Sequence, residues 1–218
     1  MISPHRRTAL IAILLGFFIV MLDTTIVNVA LAGIGADLDT TVASLQWVVD
    51  AYTLVFSAFL LTAGAACDRL GARKVYVAGL IILAAFSVVC ALAPTSGLLV
   101  AGRSVQGLGA AALVPGFLAL SSAVYDDPEE QARAIGLWGG AGGVAAAVGP
   151  VPGGALVSVI GWRAVFWVNL PFIATGCLLT LWAIPAVRGG RRRRVDMAGQ
   201  VLSVFILMAV TYAIITAG

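Results

Sequence analysis

Seven apolar runs succeed one another along the chain, at residues 8–34, 45–66, 75–94, 98–123, 133–157, 164–186 and 197–217. Each is long enough for a helix that crosses the roughly 30 Å of bilayer hydrocarbon, which takes about 20 residues. Only short polar stretches separate them. "DLDTT" follows the first run, "DRLGARK" the second, "PTSG" the third, "DDPEEQ" the fourth, "GWR" the fifth and "RGGRRRRVD" the sixth. The composition agrees: 61% of residues are hydrophobic and 11% are charged, whereas a soluble domain carries about 25% charged residues. The fold class read from this is all-α integral membrane.

The net charge of +3 suggests no nucleic-acid partner, because the bases sit between apolar runs and report topology instead. With the N-terminus placed in the cytoplasm, the inside holds Arg6, Arg7, Arg69, Arg73, Lys74, Arg133, Arg188 and Arg191 to Arg194, and the outside holds only Arg163. Arg103 lies within the fourth run. That asymmetry sets the N-terminus inside and the seventh helix running outward. "HRRTALIAILLGFF" mimics a signal peptide, but its apolar stretch runs on to about Ala36 and six more follow, so it reads as a retained first helix. Cys67, Cys90 and Cys177 lack CxxC spacing and read as packing residues. The one histidine, His5, lies in the N-terminal tail, so the sequence offers neither a zinc signature nor a histidine-based triad, and no enzyme motif. No cofactor is expected beyond protons as coupling ion.

Asp23 is the only residue between Thr8 and Ala36 that can carry charge. An aspartate near the bilayer centre costs about 2.5–3.5 kcal/mol on insertion scales, so such residues face a cavity or a partner. At 1.5 Å per residue, Asp23 lies roughly 22 Å from the inner face, and Arg103, on a helix running the other way, comes to about the same depth. Asp50 falls in a similar layer. Two readings of this layer are open. Asp23, or Asp50 as a second acid, is a protonatable carboxylate in a cavity with Arg103 as electrostatic partner; or the charges form a buried pair that fixes helix packing.

Four further stretches carry a resemblance. "GAACDRLGARK" is similar to the loop between helices 2 and 3 of the major facilitator superfamily. Gly64, Asp68, Arg69 and Gly71 match in register, and Ala72 stands where arginine is frequent, with Arg73 following. Gly71 also permits a tight turn. "GRSVQGLG" resembles the helix 4 motif, with Arg103, Gln106, Gly107 and Gly109 in place. "GLWGGAGGVAAAVGPVPGGAL" resembles the helix 5 signature of antiporters through Gly136, Gly149, Pro150, Gly153 and Gly154, with Ala145 replacing one glycine. Its glycines suit close helix approach, and Pro150 and Pro152 are expected to kink the helix. "LDTTIVNVAL" resembles helix 1 of the fourteen-helix drug:proton antiporter branch, although Ala32 stands where proline is usual.

The resemblance implies the N-terminal six-helix bundle of such a transporter over residues 1–187, a basic cytoplasmic loop over 188–196 and a seventh transmembrane helix over 197–218, with the chain truncated. It implies proton-coupled efflux of amphipathic drug-like compounds. The alternatives are a narrow exporter of one endogenous metabolite or antibiotic, or a non-transporting membrane fragment. Asp23 and Arg103 would carry proton coupling; Thr24, Asn28 and Gln106 would shape the cavity; the loop between helices 2 and 3, with Arg73 in place of the missing arginine, would control conformation. The implied partners are a small-molecule substrate, the lipid bilayer and the C-terminal half of the same transporter. Twelve arginines to one lysine point to a G+C-rich bacterial source, hence a bacterial plasma membrane.

Overall fold

Thr41, Thr95 and Asp127 each precede an apolar run, and each side chain accepts a backbone N–H of the turn that follows: Ser44 at 3.3 Å, Leu98 at 3.3 Å and Glu129 at 3.2 Å. Such caps satisfy donors that a helix start leaves open. In the computed structural model, which describes residues 4–125 and 127–185 together with residues 199, 202, 206, 209 and 211–213, they begin three of the eight helices over residues 4–185. These are α1 (Pro4–Leu38), α2 (Val42–Leu70), α3 (Ala72–Ala91), α4 (Ser96–Val124), α5 (Pro128–Val148), α6 (Pro150–Val159), α7 (Ala164–Trp167) and α8 (Asn169–Ala183). The basic loop over 188–196 lies outside the described residues, and of the expected seventh helix over 197–217 only residues 199, 202, 206, 209 and 211–213 are described, all of them helical.

The helices agree with the apolar runs but overshoot most of them. The 35 residues of α1 make about 52 Å of helix, well beyond the hydrocarbon thickness, because its ends carry polar contacts. Five elements are long and apolar enough to cross a membrane alone, counting Ala164–Ala183 as one, and α5 with α6 makes a sixth. That pair is bent by about 40° between Val148 and Pro150. Proline has no N–H for the helix ladder and its ring crowds the preceding turn, so the expected kink becomes a break. Gly71 closes α2 and opens α3 at φ 94°, a conformation that any side chain would strain.

α2 and α3 both pack on α4, α1 packs on α8 and α5, and α3 also meets α8. The α3–α4 crossing is close: a Cβ on Gly79 would lie 2.7 Å from the Gly109 carbonyl oxygen, and one on Gly109 would lie 2.8 Å from that of Gly79. Two clamps hold the ends. Arg6 reaches Glu130 at 3.4 Å. At the other end Asp37 accepts Trp162 Nε1–H at 3.0 Å and pairs with Arg163, whose second nitrogen donates to the Ala93 carbonyl at 3.2 Å.

The apolar interior is divided in two. One cluster gathers Ile13, Ile19, Leu80, Leu113, Phe117 and Ile173; the other gathers Leu22, Ile26, Val48, Leu99, Val165 and Phe166. Along α3, α4 and the α7–α8 helix, the residue numbers pass from one cluster to the other across Ser87, Arg103 with Gln106, and Asn169, and along α1 they pass between Val20 and Leu22, next to Asp23; all five are buried polar residues.

Candidate functional site

Four helices contribute one polar layer. On α4, Arg103 and Gln106 are three residues apart and share a face. Arg103 donates from Nη1 to Asp23 Oδ2 at 2.5 Å and to Gln106 Oε1 at 3.0 Å, and from Nε to the Val48 carbonyl at 3.2 Å. Its guanidinium carbon lies 4.2 Å from the centre of the Tyr52 ring, within cation–π range. Asp23 Oδ1 accepts from Asn169 Nδ2 at 2.7 Å, and Gln106 Nε2 donates to Ser87 Oγ at 2.8 Å. The Cys90 thiol lies 3.4 Å from Gln106 Oε1. Asp23 is 0% exposed and Arg103 1%, so the pair is enclosed by protein on all sides. Two polar atoms at its edge, the Tyr52 hydroxyl and Asn169 Oδ1, are buried without a hydrogen-bond partner.

Taking one carboxylate and one guanidinium out of water is costly, and their attraction offsets that cost only where every remaining group is bonded. Here both carboxylate oxygens and two of the three guanidinium nitrogens are bonded to protein. A proton delivered to Asp23 would cancel its charge, weaken the bond to Arg103 and leave a buried cation seeking another acceptor. The pair therefore joins α1 to α4, with α2 and α8 supplying further bonds through the Val48 carbonyl and the Asn169 amide.

The structure brings Asp23, Arg103 and Gln106 together, as their depth implies. It does not bring Asp50 to them. On α2 the site is met by Val48 and Tyr52, and Asp50, two residues from each, lies about 160° round the helix from both; it is half-buried and has no ion-pair partner among the described residues. Thr24 and Asn28 stand outside the buried layer. The Thr24 hydroxyl donates to the Val20 carbonyl at 2.8 Å, and the exposed Asn28 amide donates to the Thr24 carbonyl at 3.2 Å. They form a polar strip one turn apart on α1.

In the α2–α3 turn, Gly64 meets Pro115 and Gly71 turns the chain, while Asp68 and Arg69 stay at the surface end of α2. Arg73 is committed within this bundle: its Nη2 donates to the Leu181 carbonyl at 2.5 Å, in the last turn of α8, where carbonyls lack helix partners and a cation is favourable. The antiporter-like stretch divides. Gly149 accommodates Thr25, Gly153 accommodates Ile26, Gly154 lies near Val29, and Pro150 starts α6. Gly136, expected to allow close packing, instead meets open space, as do Gly139, Gly140 and Gly143. These four lie on an α5 face with no neighbour among the described residues.

Sequence reasoning missed Asn169, Ser87 and Tyr52. Asn169 lies five residues into the sixth apolar run, as Arg103 does into the fourth, and both runs are expected to point inward. The same depth count would have placed Asn169 in the layer.

A family model described as the Major Facilitator Superfamily matches residues 13–217. The chain is 38% identical over 213 residues to the methylenomycin A resistance protein of Bacillus subtilis, covering 98% of this chain and 46% of that protein. It is 41% identical over 213 residues to the multidrug resistance protein Stp of Mycobacterium tuberculosis, covering 96% and 40%. The chain thus spans less than half the length of the curated relatives it matches. Its fold is similar to that of a crystal structure of the peptide transporter POT in complex with sulfate, with a TM-score of 0.73 at 12% identity, over 98% of this chain and 45% of that one. With six helical spans over residues 4–183, this is a multi-pass membrane protein.

Proposed function

The chain belongs to the Major Facilitator Superfamily, and we propose that it is the N-terminal half of a proton-coupled exporter of amphipathic, drug-like small molecules. The observation that carries this reading is the buried Asp23–Arg103 pair at the junction of two apolar clusters. Asp23 is the proton acceptor. Arg103 is its electrostatic partner, and Gln106 orients Arg103. Asn169 holds the second carboxylate oxygen. The polar strip of Thr24 and Asn28 faces the substrate path between the halves, and the open glycine face of α5 receives a helix of the other half. Inward proton movement supplies about 2.3 kcal/mol per charge for each 100 mV of membrane potential. The bundle sits in a bacterial plasma membrane with its N-terminus inside.

The experiment uses a transporter that contains this bundle together with its second half, reconstituted in liposomes with an imposed pH gradient. Wild type exports a cationic dye against its gradient, and Asp23→Asn does not, at equal insertion. Gradient-driven export by the variant refutes the assignment. A second reading, a narrow exporter of one antibiotic, draws support from a relative named for resistance to methylenomycin A. Competition by one compound out of a chemically mixed panel would favour it over multidrug export.

A further inference from the structure

A groove of about 1050 Å³ runs between α2 and α3 with α4 as its floor. It exceeds the roughly 300–1,000 Å³ typical of small-molecule sites. Its position separates it from the proton site. The floor residue Leu108 lies five residues beyond Arg103, hence about 140° round α4 from the side chain that meets Asp23 on α1. A second half that shares the Asp23 side of the bundle does not approach from here.

The chemistry of the groove is graded along its length. Arg69 and Lys74 stand at its mouth, on either side of the Gly71 turn, and no acidic residue among the described ones lines it; Asp68 is adjacent but outside. Lys74 is exposed, and neither base has an ion-pair partner among the described residues. Beyond the mouth, the lining is Thr62 with aliphatic and small side chains, ending at Phe59 on α2 and Ile82 on α3. From Arg69 to Phe59 is about 15 Å along the helix and from Lys74 to Ile82 about 12 Å. That is close to half of the roughly 30 Å hydrocarbon thickness, or one leaflet.

A trough one leaflet deep, apolar along its length and doubly basic at the membrane surface, matches one kind of molecule. We propose that this groove binds a two-chain anionic phospholipid of the cytoplasmic leaflet, with its phosphate between Arg69 and Lys74 and its acyl chains along Ala78 and Ala112. Basic side chains at that leaflet attract anionic headgroups, and a long lysine stem can lie along an acyl chain while its ammonium stays at the surface. The occupant holds α2 and α3 at a fixed splay over α4, from the side opposite the Asp23–Arg103 pair. This site is independent of the proton reading and stands or falls without it.

The test is native mass spectrometry of the 218-residue chain in detergent, with phosphatidylglycerol and phosphatidylcholine of identical acyl chains added in equal amounts. Each base near an anionic surface contributes about fivefold, so phosphatidylglycerol is expected to be retained about 25-fold over phosphatidylcholine. Arg69→Gln with Lys74→Gln brings the ratio to near one, while Arg133→Gln leaves it unchanged. Ala78→Phe with Ala112→Phe fills the trough and removes both lipids, with helical content by circular dichroism as the control for folding. Equal retention of the two lipids by wild type overturns the proposal, as does a ratio that survives the loss of both bases. Retention by the filled variant places the lipid elsewhere. Displacement by millimolar inorganic phosphate makes it a phosphate site. A wild type that retains no lipid has its groove covered by another segment of protein, which also overturns the proposal.

Discussion

Replacing Arg103 with leucine removes the guanidinium at 2.5 Å from Asp23 Oδ2. It also removes donors from the Val48 carbonyl and from Gln106 Oε1. Asp23 keeps only the Asn169 amide, and it is 0% exposed. Removing one member of a buried pair costs about 3–5 kcal/mol, because the remaining charge is uncompensated. Asp23→Asn also leaves a buried charge uncompensated, but Arg103 keeps Val48, Gln106 and the Tyr52 ring, so its loss is expected at the lower end of that range, about 3 kcal/mol. With both substitutions no buried charge remains, and the double variant is expected within about 1 kcal/mol of Asp23→Asn alone. The assay is thermal unfolding of the detergent-purified chain, followed by loss of the monodisperse peak on size-exclusion chromatography. At roughly 2–4 °C per kcal/mol for a chain of this size, Arg103→Leu lowers the midpoint by about 6–20 °C, and adding Asp23→Asn restores part of it. Additive losses, with an interaction term below about 0.5 kcal/mol, would show that the two side chains are not coupled in the folded protein.

Asn169→Leu removes the donor to Asp23 Oδ1 and the buried, unpartnered Oδ1 with it; the expected net loss is about 1–2 kcal/mol, read by the same unfolding assay. An unchanged midpoint would mean that Asn169 does not hold the carboxylate. Gly109→Val drives a side chain into the Gly79 carbonyl, and at this closest part of the α3–α4 crossing it is expected to cost more than about 3 kcal/mol and to lower folded yield. Gly140→Ala meets open space and is expected to leave the isolated chain unchanged or up to about 1 kcal/mol more stable, while impairing export by the two-half protein, as measured by dye efflux.

Depth was legible in the sequence, and azimuth was not. Each residue of a helix adds a fixed rise, so counting from the ends of the apolar runs placed Asp23 and Arg103 in one layer before any contact was known. The same count put Asp50 in that layer, but its rotation on α2 turns it away, and rotation depends on which side chains the neighbouring helices present. Breaks were legible because they follow from single residues: Gly71 at positive φ, and Pro150 without an N–H. Partners drawn from ordinary residues were not. Depth alone would have put Asn169 in the layer, but only packing the helices together shows that its amide meets Asp23 and that Ser87 meets Gln106. Arg73 carries the opposite lesson. Its place beside a recognisable turn motif pointed outward to another half, yet it caps α8 within this one. Gly136 belongs to a close-packing pattern, but its face meets no neighbour among the described residues.

The most direct measurement follows protons at the moment of substrate binding. In weakly buffered detergent solution with a pH-indicating dye, a saturating cationic substrate is added to the purified two-half transporter at a series of pH values. At the pH of greatest release, about one proton per transporter is expected from wild type and none from Asp23→Asn, with Asp50→Asn behaving as wild type. Equal proton release from wild type and Asp23→Asn would contradict it.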